Sequence, residues 1–293
     1  MDFFLDSTSS DAERCRRLYA GDVYMFTAVP AAQALCEFAR TMLEDAFAPH
    51  DPRTAQHEMP VEEFASALAE LKPAFIHHPT AKEMIRKLLA DRGCDLGKTY
   101  FDVPRLRSST SDGYLTSGIA YAFHPHRDTW YSAPSCQINW WLPVYPVPAG
   151  AGMEIYPRYW DRAVANTSSS YNYARWTRES RFNASQHLKN DTRQQPRAKE
   201  PLQLDGGVML NGEPGALTVF SAAQLHASAK NVSGQCRFSI DFRTVHLDDL
   251  IAGNGAPNID SKCSGTTLGD YLCADDLAHI PGDLIQSYDI AET

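Results

Sequence analysis

The sequence lacks the features that mark several large functional classes. No stretch approaches the roughly 18 consecutive apolar residues of a membrane span, and the N-terminus, Met1-Asp2-Phe3-Phe4-Leu5-Asp6, is acidic with no signal-peptide pattern. There is no surplus of basic residues: 27 Lys and Arg stand against 36 Asp and Glu, a net charge of -9. That balance gives no support to a nucleic-acid partner, which calls for a basic face. No C-x-x-C occurs, and the seven cysteines are odd in number and widely spaced. A reduced, cytoplasmic chain is therefore expected rather than a disulfide framework or a zinc module. G-x-S-x-G, H-E-x-x-H, P-loop and G-x-G-x-x-G motifs are missing too, as are internal repeats and low-complexity tracts.

What remains is a chain of 293 residues, 43% hydrophobic and 22% charged, suited to one large packed domain. Residues 1–95 read as a helical layer. Pro30, Pro60 and Thr80 stand at helix starts, and Leu35, Phe38, Ala39 and Leu43 repeat at helical spacing, as do Phe64, Ala65 and Leu68. His77 and His78 fall between two of these helices and read as a solvated loop pair. From Thr99 the texture changes to short β-branched and aromatic runs broken by Gly and Ser, including Ile119 to Phe123, which indicates strands. Arg105 and Arg107 share a face if extended and are candidates to meet an anionic group.

The organising stretch is His124-Pro125-His126-Arg127-Asp128-Thr129-Trp130-Tyr131. On an extended backbone, residues i and i+2 leave on one side, so His126 and Asp128 emerge together. Two such ligands cover one edge of an octahedral metal. A third from elsewhere completes the 2-His-1-carboxylate face and leaves three positions open. By itself His-x-Asp is a weak signal, more often a polar turn with one solvated Asp than a metal site. In the next strand Gln137, Asn139 and Trp141 fall on one face, and Ile138, Trp140 and Leu142 on the other. This suits a barrel wall with a wet cavity on one side. Gly152 to Pro157 reads as a further short strand.

Residues 158–200 differ in kind. Nine Arg or Lys face four acids, so the segment is about +5 in a chain of -9. It is either a solvated insertion or a lid whose Tyr173, Arg175 and Trp176 face an anionic substrate. Strand-like sequence returns at Pro201. Ala216 to Phe220 then leads to His226, and Arg237 follows eleven residues later. Over Arg237 to Arg243 the alternation is strict, with Arg237, Ser239, Asp241 and Arg243 on one side. The tail, residues 247–293, holds loops and two short helical candidates.

Taken together, His126-Arg127-Asp128, Glu154-Ile155-Tyr156-Pro157, Gly215 to Phe220, His226, Asn231 and Arg237-Phe238-Ser239 resemble the phytanoyl-CoA dioxygenase-like branch of the Fe(II)/2-oxoglutarate oxygenases. The resemblance spans about Thr99 to His246 without the insertion, and it departs after Pro157, where Arg158-Tyr159-Trp160 stands in place of Gly-Ser-His. It implies a mainly β fold with flanking helices, built on a double-stranded β-helix (jelly-roll, cupin-like) core over 99–157 and 201–246. It also implies that His126, Asp128 and His226 hold Fe(II), that Arg237 pairs with the far carboxylate of 2-oxoglutarate with help from Ser239, and that O2 is consumed. Gln137, Asn139 and Trp141 would line the co-substrate cavity. The expected activity is oxidation of an unactivated C–H bond of a small metabolite in biosynthetic tailoring, by hydroxylation, desaturation or oxidative cyclisation. Halogenases on this scaffold lack the carboxylate, which is present here as Asp128. Two alternatives stand beside it: a cupin-type metal oxidoreductase or isomerase that needs no 2-oxoglutarate, and a non-catalytic jelly-roll binding module. No membrane or nucleic-acid partner is expected, and the insertion closes over its own site or docks on a neighbouring subunit of a homo-oligomer.

Overall fold

The computed structural model describes residues 1–115, 124–179, 193 and 195–289. Its centre is two sheets facing each other across a cavity, antiparallel except for one parallel pair at the N-terminal edge of the larger. The larger sheet runs β1 (Phe3–Leu5), β2 (Val23–Phe26), β8 (Leu217–Ser221), β5 (Ile138–Pro143), β10 (Arg237–His246), β3 (Thr99–Phe101) and β11 (Leu272–Cys273). β4 (Arg105–Ser109) continues the edge of β10 beyond β3, so that one long strand holds both. The smaller sheet is β7 (Val208–Leu210), β6 (Met153–Ile155) and β9 (His226–Ser228). This is the expected mainly β, jelly-roll architecture.

Four helices cover the outer face of the large sheet: α1 (Asp11–Tyr19), α2 (Pro30–Phe47), α3 (Val61–His77) and α4 (Pro79–Asp91). Pro30 and Pro79 occupy first turns, where the missing N–H costs no hydrogen bond, and Gly93 follows α4 at φ +72°. Leu35, Leu43, Phe64 and Leu88 meet Ile138, Trp140, Leu142, Phe238, Ile240 and Phe242 in one buried cluster. Full burial of each such side chain contributes about 1.5–3 kcal/mol. The alternation in β5 and β10 therefore resolves as expected, with apolar residues to the helices and polar ones to the cavity.

The N-terminal layer is not wholly helical. β1 and β2 interrupt it, and β2 pairs antiparallel with β8 to extend the large sheet. Val23-Tyr24-Met25-Phe26 is an aromatic and β-branched run cut off from α1 by Gly21 at φ +98°, which favours a strand locally. Pro201 to Gly207, expected to begin a strand, carries none; the strand starts at Val208. Ile119 to Phe123 lies outside the described residues. The insertion contributes α5 (Tyr173–Glu179), and the tail contributes α6 (Leu247–Ala252) and α7 (Gly282–Tyr288). Among the described residues all seven cysteines are free and no helix is long and apolar enough to cross a membrane.

Candidate metal centre

His126 pairs side by side with His226 at the start of β9, in the smaller sheet. Each donates its backbone N–H to the other's carbonyl at 3.0 Å, the pattern of an antiparallel pair. Their ring centroids are 4.3 Å apart. Nδ1–H of His126 donates to the His124 carbonyl at 2.8 Å, and Nδ1–H of His226 to the Gln224 carbonyl at 3.0 Å. Both rings are thereby fixed in the tautomer that leaves the Nε2 lone pair free for a metal. Burial, and then the neighbouring His226, push the His126 imidazole down to about 4, so it is neutral at physiological pH.

Asp128 opens a short 3-10 turn, Asp128–Tyr131, and its backbone N–H is held by the Ala222 carbonyl at 3.0 Å. Its Oδ1 lies 3.3 Å from His126 Nε2 and 3.9 Å from His226 Nε2. One ligand atom from each of the three residues falls within 4.8 Å of the others, and these are the one such group of His, Cys, Asp and Glu among the described residues. Oδ2 points the other way, accepting from Gln137 Nε2 at 3.1 Å and Arg243 Nε at 3.4 Å. Burial alone would raise this carboxyl; the Arg243 charge and the two histidines hold it well below the usual carboxylate range instead. Two imidazole nitrogens and a carboxylate oxygen on one face, with hydrogen bonds to the carboxylate's other oxygen behind, make a donor set suited to non-haem Fe(II).

Around this face lies a cavity of about 670 Å³. Arg237 and Ser239, at successive inward positions of β10, are 6% and 1% exposed. Arg237 Nη2 donates to Ser228 Oγ at 3.3 Å and its guanidinium lies 5.9 Å from the Trp141 ring centroid. Yet, among the described residues, Arg237 Nε and Ser239 Oγ have no hydrogen-bond partner. Burial draws Arg237 down to about 10. Orphaned buried donors are costly, and a native structure keeps them where a ligand completes them. A carboxylate fits both.

The remaining expected site residues divide. Gln137, Asn139 and Trp141 line the cavity. Gln137 Nε2 donates to Asn139 Oδ1 at 2.9 Å and to Asp128 Oδ2 at 3.1 Å, and Gln137 Oε1 accepts from Tyr271 Oη–H at 2.8 Å. Arg105 pairs with Asp102, and Arg107 with Asp241 at 2.8 Å. Tyr173 and Trp176 reach the cavity wall, with the Tyr173 hydroxyl donating to Asp270. Arg175 does not reach it; its guanidinium donates to the Ser170 carbonyl at 2.6 Å. Among the described cations of 158–200 only Arg193 lines the cavity. Where the described part of the segment meets the cavity it is thus mainly aromatic, with the Arg193 guanidinium 5.4 Å from the Trp176 ring centroid. His77 ends α3 and His78 caps α4, its Nδ1 accepting from the Thr80 N–H at 3.2 Å.

Arg243, Asp102, Asp241, Tyr131 and Tyr271 belong to the site without having been singled out in the sequence. Arg243 and Asp241 were placed on the right strand face by alternation, a signal that could have flagged them. Asp102 sits three residues before Arg105, the first of the charged strand, and nothing local marks Tyr271.

No family model and no curated protein sequence matches this chain. Among solved structures, EvdO2 from Micromonospora carbonacea var. aurantiaca complexed with 2-oxoglutarate is 12% identical, with 81% of this chain and 91% of that chain covered and a TM-score of 0.46. The epimerase SnoN in complex with Fe3+, alpha ketoglutarate and nogalamycin RO is 14% identical over 86% of this chain and 98% of that chain, at a TM-score of 0.42. The non-heme monooxygenase ThoJ is 13% identical over 79% of this chain and 76% of that chain, at a TM-score of 0.41. Likeness this distant says nothing of chemistry, which is carried by the side chains of the centre itself.

Proposed function

We propose that this protein is a non-haem Fe(II)- and 2-oxoglutarate-dependent oxygenase that oxidises an unactivated C–H bond of a small metabolite in biosynthetic tailoring. The observation that carries the reading is the coincidence, in one cavity, of a three-ligand face and two orphaned donors. His126, Asp128 and His226 would hold Fe(II). Arg237 and Ser239 would hold the far carboxylate of 2-oxoglutarate, where a buried planar fork suits a two-oxygen partner. Bound together, the metal and 2-oxoglutarate supply a two-electron oxidation driven by O2, with succinate and CO2 as co-products.

The protein's own residues bind, orient and exclude water. Arg243 and Gln137 take Oδ2 of Asp128, so that Oδ1 alone turns to the metal. The two Nδ1–H···O=C bonds orient both imidazoles with Nε2 toward the metal face. Trp141 and Phe220 wall the co-substrate side of the cavity, and the aromatic residues after Tyr131 wall the other. A cupin-type enzyme without 2-oxoglutarate would leave Arg237 Nε and Ser239 Oγ without a purpose. Hydroxylation, desaturation and cyclisation share this machinery and differ in where the substrate lies.

The test is 2-oxoglutarate-dependent succinate formation, run with metal content measured on each variant. Asp128→Ala and His226→Ala should lose both bound iron and turnover. Turnover that survives both substitutions would overturn the reading.

A further inference from the structure

Beyond the triad and the Arg237 pocket, the cavity joins two kinds of surface. One is an aromatic wall that starts at a metal ligand. The Tyr131 ring stands edge-on to His126 at 5.4 Å, Tyr171 stands edge-on to Tyr131 at 5.3 Å, and Trp176 lies 5.9 Å from Tyr171. All three line the cavity. The Tyr131 hydroxyl is turned to the Pro196 carbonyl at 3.2 Å, so the ring rather than the polar tip is what it offers a ligand.

The other surface is the charged face of β4 and β10. Asp241 lies between Ser239 and Arg243 on β10, and its Oδ2 accepts from Arg107 Nε at 2.8 Å. Its Oδ1 is buried and, among the described residues, accepts no hydrogen bond. The nearby co-substrate cannot complete it, because a carboxylate brings only acceptors and a like charge. An amine is disfavoured as well, since Arg105, Arg107 and Arg243 all act on Asp241 and hold its carboxyl below the usual range against the effect of burial. A hydroxyl meets both needs: it donates to Oδ1 and accepts from a neighbouring guanidinium.

A ligand that stacks on ring faces and presents hydroxyls at its edge is a saturated polyhydroxylated ring. Its polarised C–H groups suit the negative faces of aromatic side chains. The volume of about 670 Å³ is within the roughly 300–1,000 Å³ of sites that hold drug-sized ligands, leaving room beyond a five-carbon diacid. We infer that the primary substrate carries a glycosyl or cyclitol ring, packed against the aromatic wall of Tyr131, Tyr171 and Trp176 with a hydroxyl on Asp241. This rests on the oxygenase reading above and names the substrate class of that same site.

The experiment has two steps. Wild-type protein is first given Fe(II) and 2-oxoglutarate anaerobically, and the visible charge-transfer band is recorded. Zn(II)-loaded protein with 2-oxoglutarate is then studied by saturation-transfer NMR with methyl β-D-glucopyranoside, myo-inositol and, as a hydroxyl-poor flat probe, 2-naphthol. The expected result is saturation of ring C–H protons of the glucoside or of the inositol, the responding probe telling a glycosyl from a cyclitol ring. Asp241→Asn and, separately, Trp176→Ala should each weaken that binding about tenfold or more, the loss expected for a hydrogen bond to a charged group or a stacked ring. Saturation of 2-naphthol alone, of no probe, or of the sugar equally in wild type and both variants would overturn the inference. If the band forms in any of those cases, the oxygenase reading stands without it; if no band forms, that reading fails first.

Discussion

Arg243 and Asp128 are joined behind the metal face, Nε to Oδ2 at 3.4 Å, and Arg243 is itself pinned by Asp102, which takes its Nη1 at 3.2 Å and its backbone N–H at 2.7 Å. The carboxylate is therefore aimed by a side chain 115 residues away in sequence. Partners of metal ligands typically contribute about 10–100-fold to metal affinity. Arg243→Gln should weaken Fe(II) or Mn(II) binding by a factor in that range while the protein remains folded. An anaerobic metal titration checks this, and an unchanged dissociation constant would show that Asp128 needs no such guide.

The residue inside the His-x-Asp motif has a different task. Arg127 is 1% exposed and lies against Asp260 at 3.0 Å, and its guanidinium also donates to the Ala223, Tyr159 and Arg162 carbonyls. Asp260 in turn accepts from Trp130 Nε1 at 2.7 Å and the Val164 N–H at 3.0 Å. Removing one member of a buried pair leaves a charge without compensation and costs about 3–5 kcal/mol. Asp260→Ala should lower the unfolding free energy by an amount in that range, read as a drop in the denaturant midpoint at unchanged m, with metal binding lost only as the fold is lost. A midpoint within error of wild type would contradict this role.

These two arginines show where the sequence is legible and where it is not. The triad can be read because His126 and Asp128 are two residues apart on one extended segment and His226 stands a fixed step before the Arg237-x-Ser239 strand. The polar faces of β5 and β10 are equally readable, since a period of two survives any tertiary context. The partners of Arg243 and Gln137 are not, because Asp102 and Tyr271 reach them only through β-sheet register and a tail strand. β1 and β2 are three and four residues long, too short for periodicity to outweigh the helical texture around them. Arg175 shows the limit of charge counting: its guanidinium is used by the segment's own backbone.

A further prediction concerns the departure at Arg158-Tyr159-Trp160. The Trp160 indole packs onto Gly21, where an added Cβ would come within 2.5 Å of the ring, at a φ of +98°. Gly21 also gives its carbonyl to Gln224 Nε2 at 2.6 Å, two residues before His226. Gly21→Ala combines overpacking with a left-handed backbone, at a cost of about 1–3 kcal/mol. The thermal midpoint should fall accordingly. An unchanged midpoint would mean that the indole moves aside freely.

Lys72 on α3 lines the same cavity, and burial followed by the Arg107 charge lowers its ammonium to about 7 from an ordinary 10.5. Between those two values the unfolded chain holds a proton that the folded protein has released, so this group makes stability rise with pH across that window. Below about pH 7 the folded state carries the full cost of the buried charge. Lys72→Met should therefore be most stabilising relative to wild type near neutrality and progressively less so toward pH 10. The two unfolding midpoints measured along that series decide it, and a difference independent of pH would contradict the assignment.

The central claim, that one cavity holds Fe(II) on His126, Asp128 and His226 and 2-oxoglutarate on Arg237 and Ser239, is tested most directly by anaerobic titration of metal-free protein. Fe(II) is added first and 2-oxoglutarate second, while the visible metal-to-ligand charge-transfer band is followed. A band that needs both, and that demands far more 2-oxoglutarate in Arg237→Ala and Ser239→Ala, is the expected result. Iron that binds without any band on adding 2-oxoglutarate, or a band indifferent to Arg237, would contradict it.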